Sequence, residues 1–385
     1  MSESKHYIGL MSGTSMDSID AVAINFKKER MECLGSHKHE IPQSIKEQLA
    51  QLCQLNESSM AVYGATDIQM GILFAEAVKS LMSALRLTPE NIMAIGSHGQ
   101  TIRHSPPGGP NIPFSIQIGD PNIIAARTNC PVVADFRRAD MALGGQGAPL
   151  TPAFHQVFFS HPSLVRLILN IGGIANITVL SPDRLCMGFD TGPGNVLLDG
   201  WCQRHRGNPF DENGNWGAGG TICETLLHQL KGHPYLRQSS PKSTGRELFN
   251  LKWLEQQLKE HQNHIEFLAP QDVQATLCKF TADTISDCIK SLKCPVDEIF
   301  VCGGGAHNRA LMKTLRQKLD GLNLRTTKSL GVHPDNVEAA AFAWLAMRRI
   351  NGLSGNLPSV TGARHSTILG GVFLPSLHEA KAYSR

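Results

Sequence analysis

Three glycine-bearing turns, set far apart along the chain, constrain its fold more than any other feature. They are Gly9-Leu-Met-Ser-Gly-Thr-Ser-Met-Asp-Ser-Ile-Asp20, Leu169-Asn-Ile-Gly-Gly-Ile-Ala-Asn-Ile-Thr178 and Val301-Cys-Gly-Gly-Gly-Ala-His-Asn308. In the first two, an apolar strand breaks into a tight polar turn and resumes as a strand. Asp190-Thr-Gly-Pro-Gly-Asn195 adds a carboxylate beside a further tight turn. Turns of this kind aim backbone N–H groups and hydroxyls at phosphate oxygens. Distributed over both halves of a chain, they point to a phosphotransferase built from two similar halves. Neither the Gly-x-Gly-x-x-Gly fingerprint after the first strand nor the Gly-x-x-x-x-Gly-Lys-[Ser/Thr] loop occurs, which excludes the two commonest single-loop phosphate binders.

A length of 385 residues suits about two domains. Hydrophobic residues at 41% against 18% charged predict a packed core. The net charge of +3 is small, and no basic run or basic–aromatic stripe occurs, so no nucleic-acid partner is expected. The ten cysteines form no Cys-x-x-Cys, and several sit in apolar settings, as Cys302 does after Ile299-Phe-Val. They read as reduced, mostly buried thiols. Met1-Ser-Glu-Ser-Lys-His has no signal-peptide pattern, and the apolar run Ala339 to Met347 is too short to span a membrane. A cytoplasmic enzyme with no membrane partner is expected.

Tyr7 to Met11 and Ile19 to Phe26 read as a hairpin around a polar turn, with a third strand near Met31 to His39. Helical spacing follows at Ser44 to Leu55 and Ala61 to Leu85, then a short strand at Ile92 to Gly96 and an apolar Val132-Val-Ala. The second half repeats this grammar. Strands are expected at Leu167 to Ile171, Ile174 to Leu180, Leu185 to Phe189 and Glu298 to Cys302. Helices are expected at Gly245 to Lys259, Val273 to Ser291, His307 to Leu319 and Asn336 to Arg349. Thr244 and Glu247 offer a capping box for the first of these. The chain is expected to cross between halves near residues 150–165. The domains are then 1–150, completed by 355–385, and 151–354. Closing two such α/β lobes on a substrate would keep bulk water from an ATP site.

Further segments complete a set. They are Ser97-His-Gly-Gln-Thr101, Gln117-Ile-Gly-Asp120, Ala134-Asp-Phe-Arg-Arg138, Gly144-Gly-Gln-Gly-Ala-Pro149 and Phe189-Asp-Thr-Gly-Pro-Gly-Asn195. Together with the three glycine turns, and in this order, they resemble the anhydro-N-acetylmuramic acid kinase family of the sugar-kinase, heat-shock-ATPase and actin-like superfamily. The resemblance runs through nearly the whole chain. It implies an α/β, duplicated two-lobed actin-like ATPase fold with mixed sheets and an interdomain catalytic cleft. It also implies ATP, Mg2+ and water acting on 1,6-anhydro-N-acetylmuramic acid: the 1,6-anhydro ring opens, O6 is phosphorylated, and N-acetylmuramic acid 6-phosphate and ADP form during peptidoglycan recycling. A cytoplasmic homodimer is the family's pattern. The rival readings are an ordinary sugar kinase without ring hydrolysis and an actin- or chaperone-like protein-binding ATPase.

Asp190 ends an apolar strand, and alone it reads as an Asx-turn as readily as a base. The resemblance makes it the catalytic base. Ser12, Gly13, Thr14 and Ser15 become phosphate-loop candidates, with a plain hairpin turn as the alternative. Asp17 is a candidate for sugar hydroxyls or magnesium-bound water. Ser18 stands where the family commonly has Gly, which would strain the turn if positive φ were needed there. Asn170, Gly172, Gly173 and Asn176 resemble the second phosphate hairpin. Gly303, Gly304, Gly305 and Asn308 resemble the adenosine contact or a simple β-to-helix turn. Ser97, His98, Gly99, Gln100 and Thr101 read as a sugar-recognition loop. Asp135 and Arg138 read as binders of hydroxyl or carboxylate groups, or as an ion pair. Glu338, three residues after Asp335, reads as a reciprocal helix cap or a sugar contact. Phe342 and Trp344 read as core. His98 and His104 lack a zinc-ligand pattern, and no metal ligand is assigned.

Overall fold

The computed structural model describes residues 5–13, 15–27, 30–54, 59–108, 112–183, 186–239, 242–245, 248–262 and 268–375. The chain divides by packing into two compact units, Met1–Phe158 with Asn336–Arg385, and Phe159–Asp335.

The first unit opens with an antiparallel meander of β1 (His6–Ser12), β2 (Ser18–Lys27) and β3 (Arg30–Glu40). Ile8, Leu10, Ile19, Ala21 and Ala23 form one buried face of it, together with residues of α1 (Gln43–Gln54) and α2 (Met60–Leu85). By length and composition α2 could cross a membrane. Here its Leu73, Phe74, Ala77, Val78 and Leu81 fill the core of this unit. β4 (Ile92–Ser105) runs parallel to β1, and β5 (Phe114–Ile118), α3 (Pro121–Thr128), β6 (Val132–Ala134), α4 (Phe136–Ala142) and α5 (Thr151–Phe159) follow.

β4 is 14 residues long, so Ser97–Thr101 lies within a strand rather than in a loop after one. The apolar run ends at Gly96, but the polar residues beyond it still find ladder partners. Ser97 pairs with Leu10, and Gln100 pairs with both Ser12 and Ile118. Gly99, at φ +74°, lies where the register against β1 shifts.

The second unit begins with another antiparallel meander, β7 (Arg166–Ile171), β8 (Ile174–Leu180) and β9 (Met187–Pro193). The helices α6 (Val196–Arg206), α7 (Asn215–Ala218), α8 (Glu224–Lys231), α9 (Leu251–Gln262) and α10 (Pro270–Lys290) follow. Then come β10 (Glu298–Cys302), α11 (Arg309–Lys318) and β11 (Asn323–Thr326). The sheet order is β11-β10-β7-β8-β9, with β10 parallel to β7 and β11. The first sheet runs β12-β6-β4-β1-β2-β3 once its last strand, β12 (Gly371–Phe373), is added. In both, parallel strands extend a meander on the side of its first strand. α9 starts at Leu251, so Thr244 caps no helix; Glu247 of the expected capping box and Leu185 of the expected strand lie outside the described residues.

The chain returns to the first unit with α12 (Val337–Ile350), α13 (Pro358–Thr361) and β12 (Gly371–Phe373), which pairs with β6. The expected second domain included residues 336–354; in the structure they belong to the first unit. The reason is a seat made of glycine. Gly9 and Gly96 are register partners on β1 and β4. A Cβ on Gly9 would overlap Ala339 O, and one on Gly96 would overlap Phe342 O. Bare backbone on the sheet and alanines on the helix let α12 come this close. Asp140, fully buried, secures the segment that follows. It accepts from Asn356 Nδ2 and Thr361 Oγ1 at 2.7 Å each and from Gly147 N at 2.8 Å.

Candidate functional site

Two antiparallel steps from β7 to β9 and a parallel step to β10 leave these three strands pointing the same way. Gly172-Gly173, Gly194-Asn195 and Gly303–Gly305 follow their C-terminal ends, so three motifs far apart in sequence meet at one end of the second sheet; Asp190 does not end its strand as expected but lies in the middle of β9, because the ladder to β8 runs on to Pro193. The first two motifs interlock through backbone. Asn195 N donates to Gly172 O at 2.8 Å, and Gly194 and Val196 donate to Gly173 O at 2.9 and 3.0 Å.

The glycines have different reasons to be glycine. Gly303 lies at φ +79°, and a Cβ there would overlap Asn170 Oδ1; one on Gly305 would overlap the Ile171 side chain. Those two serve packing. A Cβ on Gly304 would meet only Asn195 Nδ2 at 3.7 Å, one on Gly172 only Ile174 O at 3.5 Å, and one on Gly13 nothing within 4 Å. These three turn glycines leave open space above the backbone. Asn308 accepts from Leu311 N at 3.0 Å and so caps α11. Asn176 is the ladder partner of Asp190.

Asp190 itself is gripped by the segment at residues 242–244. Its N–H donates to Lys242 O at 3.0 Å. Its Oδ2 accepts from Ser243 Oγ and from Thr244 N, both at 2.9 Å. The buried Tyr235 donates its hydroxyl to Asp190 O at 2.9 Å. The Lys242 ammonium lies 4.7 Å over the Tyr235 ring. Burial pulls that ammonium below its usual range, opposed by Cys288 and Asp190.

In the first unit, Ser12 donates to Gln100 Oε1 at 2.6 Å, joining the first turn to the polar half of β4. Thr14 lies outside the described residues, Ser15 is an exposed turn residue, and Asp17 pairs with Lys46 at 3.6 Å. The positive φ of this turn falls on Met16 at 59°, while Ser18 is ordinary strand, so Ser in place of Gly costs nothing there. Asp135 (φ 60°) and the exposed Arg138 form a two-point ion pair, with Nε to Oδ1 at 2.8 Å and Nη2 to Oδ2 at 2.6 Å.

Arg137, which sequence reasoning passed over, faces inward. Its Nη2 and Nε reach His98 Nε2 at 2.8 and 3.2 Å, and its Nη1 donates to Gly147 O at 2.9 Å. Nε2 is therefore an acceptor, and the proton sits on Nδ1, donated to Gly99 O at 2.8 Å. Burial and then the Arg137 charge hold His98 at about 3, so it is neutral. Burial also pulls Arg137 down to about 10, opposed by Glu338, and raises the Glu338 carboxyl, opposed by Arg137. Glu338 lies in the first turn of α12; the Asp335 carboxylate meets His307 Nε2 at 2.8 Å instead, so no reciprocal cap forms. The ring of His98 lies 4.7 Å from Phe342, and Phe342 and Trp344 are core. One signal for Arg137 was available: positions 135 and 138 share a helix face, which turns 137 to another.

Glycine turns with open space and a held carboxylate on the adjoining strand suit an ATP-dependent phosphotransferase. Comparison with known proteins narrows the class. The family profile described as anhydro-N-acetylmuramic acid kinase matches residues 5–375. The anhydro-N-acetylmuramic acid kinase of Shewanella sp. (strain MR-4) is 50% identical over 369 residues, covering 96% of this chain and 98% of that one. That of Shewanella frigidimarina (strain NCIMB 400) is 50% identical over 374 residues, covering 97% and 99%. That of Pasteurella multocida (strain Pm70) is 45% identical over 369 residues, covering 96% of both. The chain belongs to the anhydro-N-acetylmuramic acid kinase family.

Proposed function

We propose that the protein uses ATP to phosphorylate O6 of 1,6-anhydro-N-acetylmuramic acid while water opens the anhydro bridge. The products are N-acetylmuramic acid 6-phosphate and ADP, and the role is in peptidoglycan recycling in the cytoplasm. The observation that carries the ring-opening step is the Asp190 carboxylate held on β9 by Ser243 and Thr244. Asp190 takes a proton from water as its oxygen bonds to C1. The C1–O6 bond breaks, and O6 attacks the γ-phosphorus as the bond to the β–γ bridging oxygen breaks and ADP leaves. A base in this position is worth about 10²–10⁴ in rate.

Gly304, Gly172 and Gly13 are the backbone positions open to the nucleotide, with Gly173, Asn170 and Asn176 shaping the second turn. Magnesium would enter on the phosphates; Asp17, paired with Lys46, is the first unit's candidate for sugar hydroxyls or a magnesium-bound water. Among the described residues no cluster of three ligating side chains offers a separate cage. When bound, the ion neutralises charge on the phosphoryl oxygens. His98, Arg137 and Glu338, with Ser97, Gln100 and Thr101, form the sugar-recognising set. Arg137 suits the lactyl carboxylate better than Arg138, whose charge Asp135 already meets. The fold proposed is the duplicated actin-like one, working as a homodimer.

The test is a reaction in ¹⁸O-water with ATP, magnesium and the anhydrosugar, quenched before the new reducing end exchanges oxygen with solvent. The expected product carries one phosphate and one ¹⁸O at C1. Phosphorylation with the anhydro bridge intact would instead make the protein an ordinary sugar kinase. No phosphorylated sugar from folded, ATP-binding protein would overturn the substrate.

A further inference from the structure

The segment Lys242-Ser243-Thr244 lies 52 residues and more from Asp190 in sequence, yet it meets Asp190 through three hydrogen bonds. One of them, Asp190 N to Lys242 O, fixes the main chain of β9 against the segment. The other two converge on a single carboxylate oxygen. A turn or a helix start would be served by a carboxylate that accepts from its own neighbours, as Asp120 does from Asn122 N. Asp190 is held by donors brought from another part of the unit. Two donors on Oδ2 set the plane of the carboxylate and hence the direction of Oδ1. Hydrogen bonds to an ionised oxygen also favour the ionised form, the form a base needs.

The segment is anchored in turn. Tyr235, 2% exposed, sits edge-on to Phe249 at 5.8 Å in the core of the second unit and reaches up to Asp190 O. Its ring also lies beneath the Lys242 ammonium. One rigid aromatic residue therefore ties both partners of the clamp to the core. Ser243 is exposed, so nothing in the packing of the fold demands a hydroxyl there.

We infer that Ser243 and the Thr244 amide are positioning groups for Asp190, holding its carboxylate aimed for the water-activating step. This rests on the reading of Asp190 as the base. The test compares Asp190→Asn, Ser243→Ala and Ser243→Thr in the full chain. It measures kcat, KM for ATP and sugar, the pH–rate profile, ATP binding and Tm. Ser243→Ala should lower kcat about tenfold, as loss of one hydrogen bond to a charged group does. Both KM values should hold, and the acid limb should move to higher pH. Ser243→Thr should restore both. Wild-type kcat and an unmoved acid limb in Ser243→Ala, with Asp190→Asn inactive, would overturn the clamp and leave the base standing. An active Asp190→Asn would remove the base itself. Loss of ATP binding and a lowered Tm in Ser243→Ala would assign Ser243 to the fold and also overturn the inference.

Discussion

Gly303 and Gly304 are neighbours that a sequence cannot tell apart, and substitution should separate them. Gly303→Ala puts a Cβ into Asn170 at a positive φ, so it should destabilise the second unit by more than about 1 kcal/mol. Gly304→Ala meets nothing closer than 3.7 Å, so Tm should hold while ATP binding weakens. Thermal melts with and without ATP distinguish the two; equal Tm losses would mean that Gly304 also serves packing. Arg137 and Arg138 are a second such pair. Adjacent in sequence, they differ because Asp135, in a left-handed conformation, starts the helix and takes Arg138 as its partner. Neither the conformation of Asp135 nor the burial of His98 is visible in residue types alone. The family motifs make Asp190 legible as a candidate; of its partners, Thr244 fits a helix cap by its Thr-x-x-Glu spacing, and Ser243 carries no signal of its own.

At the scale of elements, the two meanders were legible because alternating apolar residues demand a half-buried sheet. The length of β4 was not, since its second half is polar and is held by ladder bonds to β1 and β5. Nor was the unit to which α12 belongs, because Gly9 sits in what reads as a phosphate turn. Gly9→Ala or Gly96→Ala should push α12 off the sheet and cost several kcal/mol, on the scale of overpacking and backbone clash, about 1–3 kcal/mol or more. The double variant should cost less than the sum, since both act on one helix. Urea denaturation measures this; strict additivity would show two independent seats. Asp140→Ala removes the acceptor for Asn356, Thr361 and Gly147, and should cost about 1–3 kcal/mol for each donor left dry.

For the molecule as a whole, acid is the expected weakness, and it falls on the first unit. Burial holds His98 and His155 at about 3, and His104 at about 4, against 6.5 for a free histidine. Below about pH 6.5 the unfolded chain therefore binds protons that the folded chain refuses. Stability is full above that pH and falls as the pH drops toward 4, by about 1.4 kcal/mol per pH unit for each fully buried histidine. Tm should be flat from pH 7 to 8 and fall from 6.5 to 5, with a shallower fall in His155→Gln. An unchanged slope in that variant would place the acid sensitivity elsewhere.

The second unit is continuous in sequence and interrupts the first. During synthesis β1 therefore leaves the ribosome some three hundred residues before α12. At about 5–20 residues per second that is an interval on the order of tens of seconds. Through it, the strip of bare backbone at Gly9 and then Gly96 waits without its helix, and the later-made unit receives its last strand before that helix appears. A chain of this design completes its beginning last.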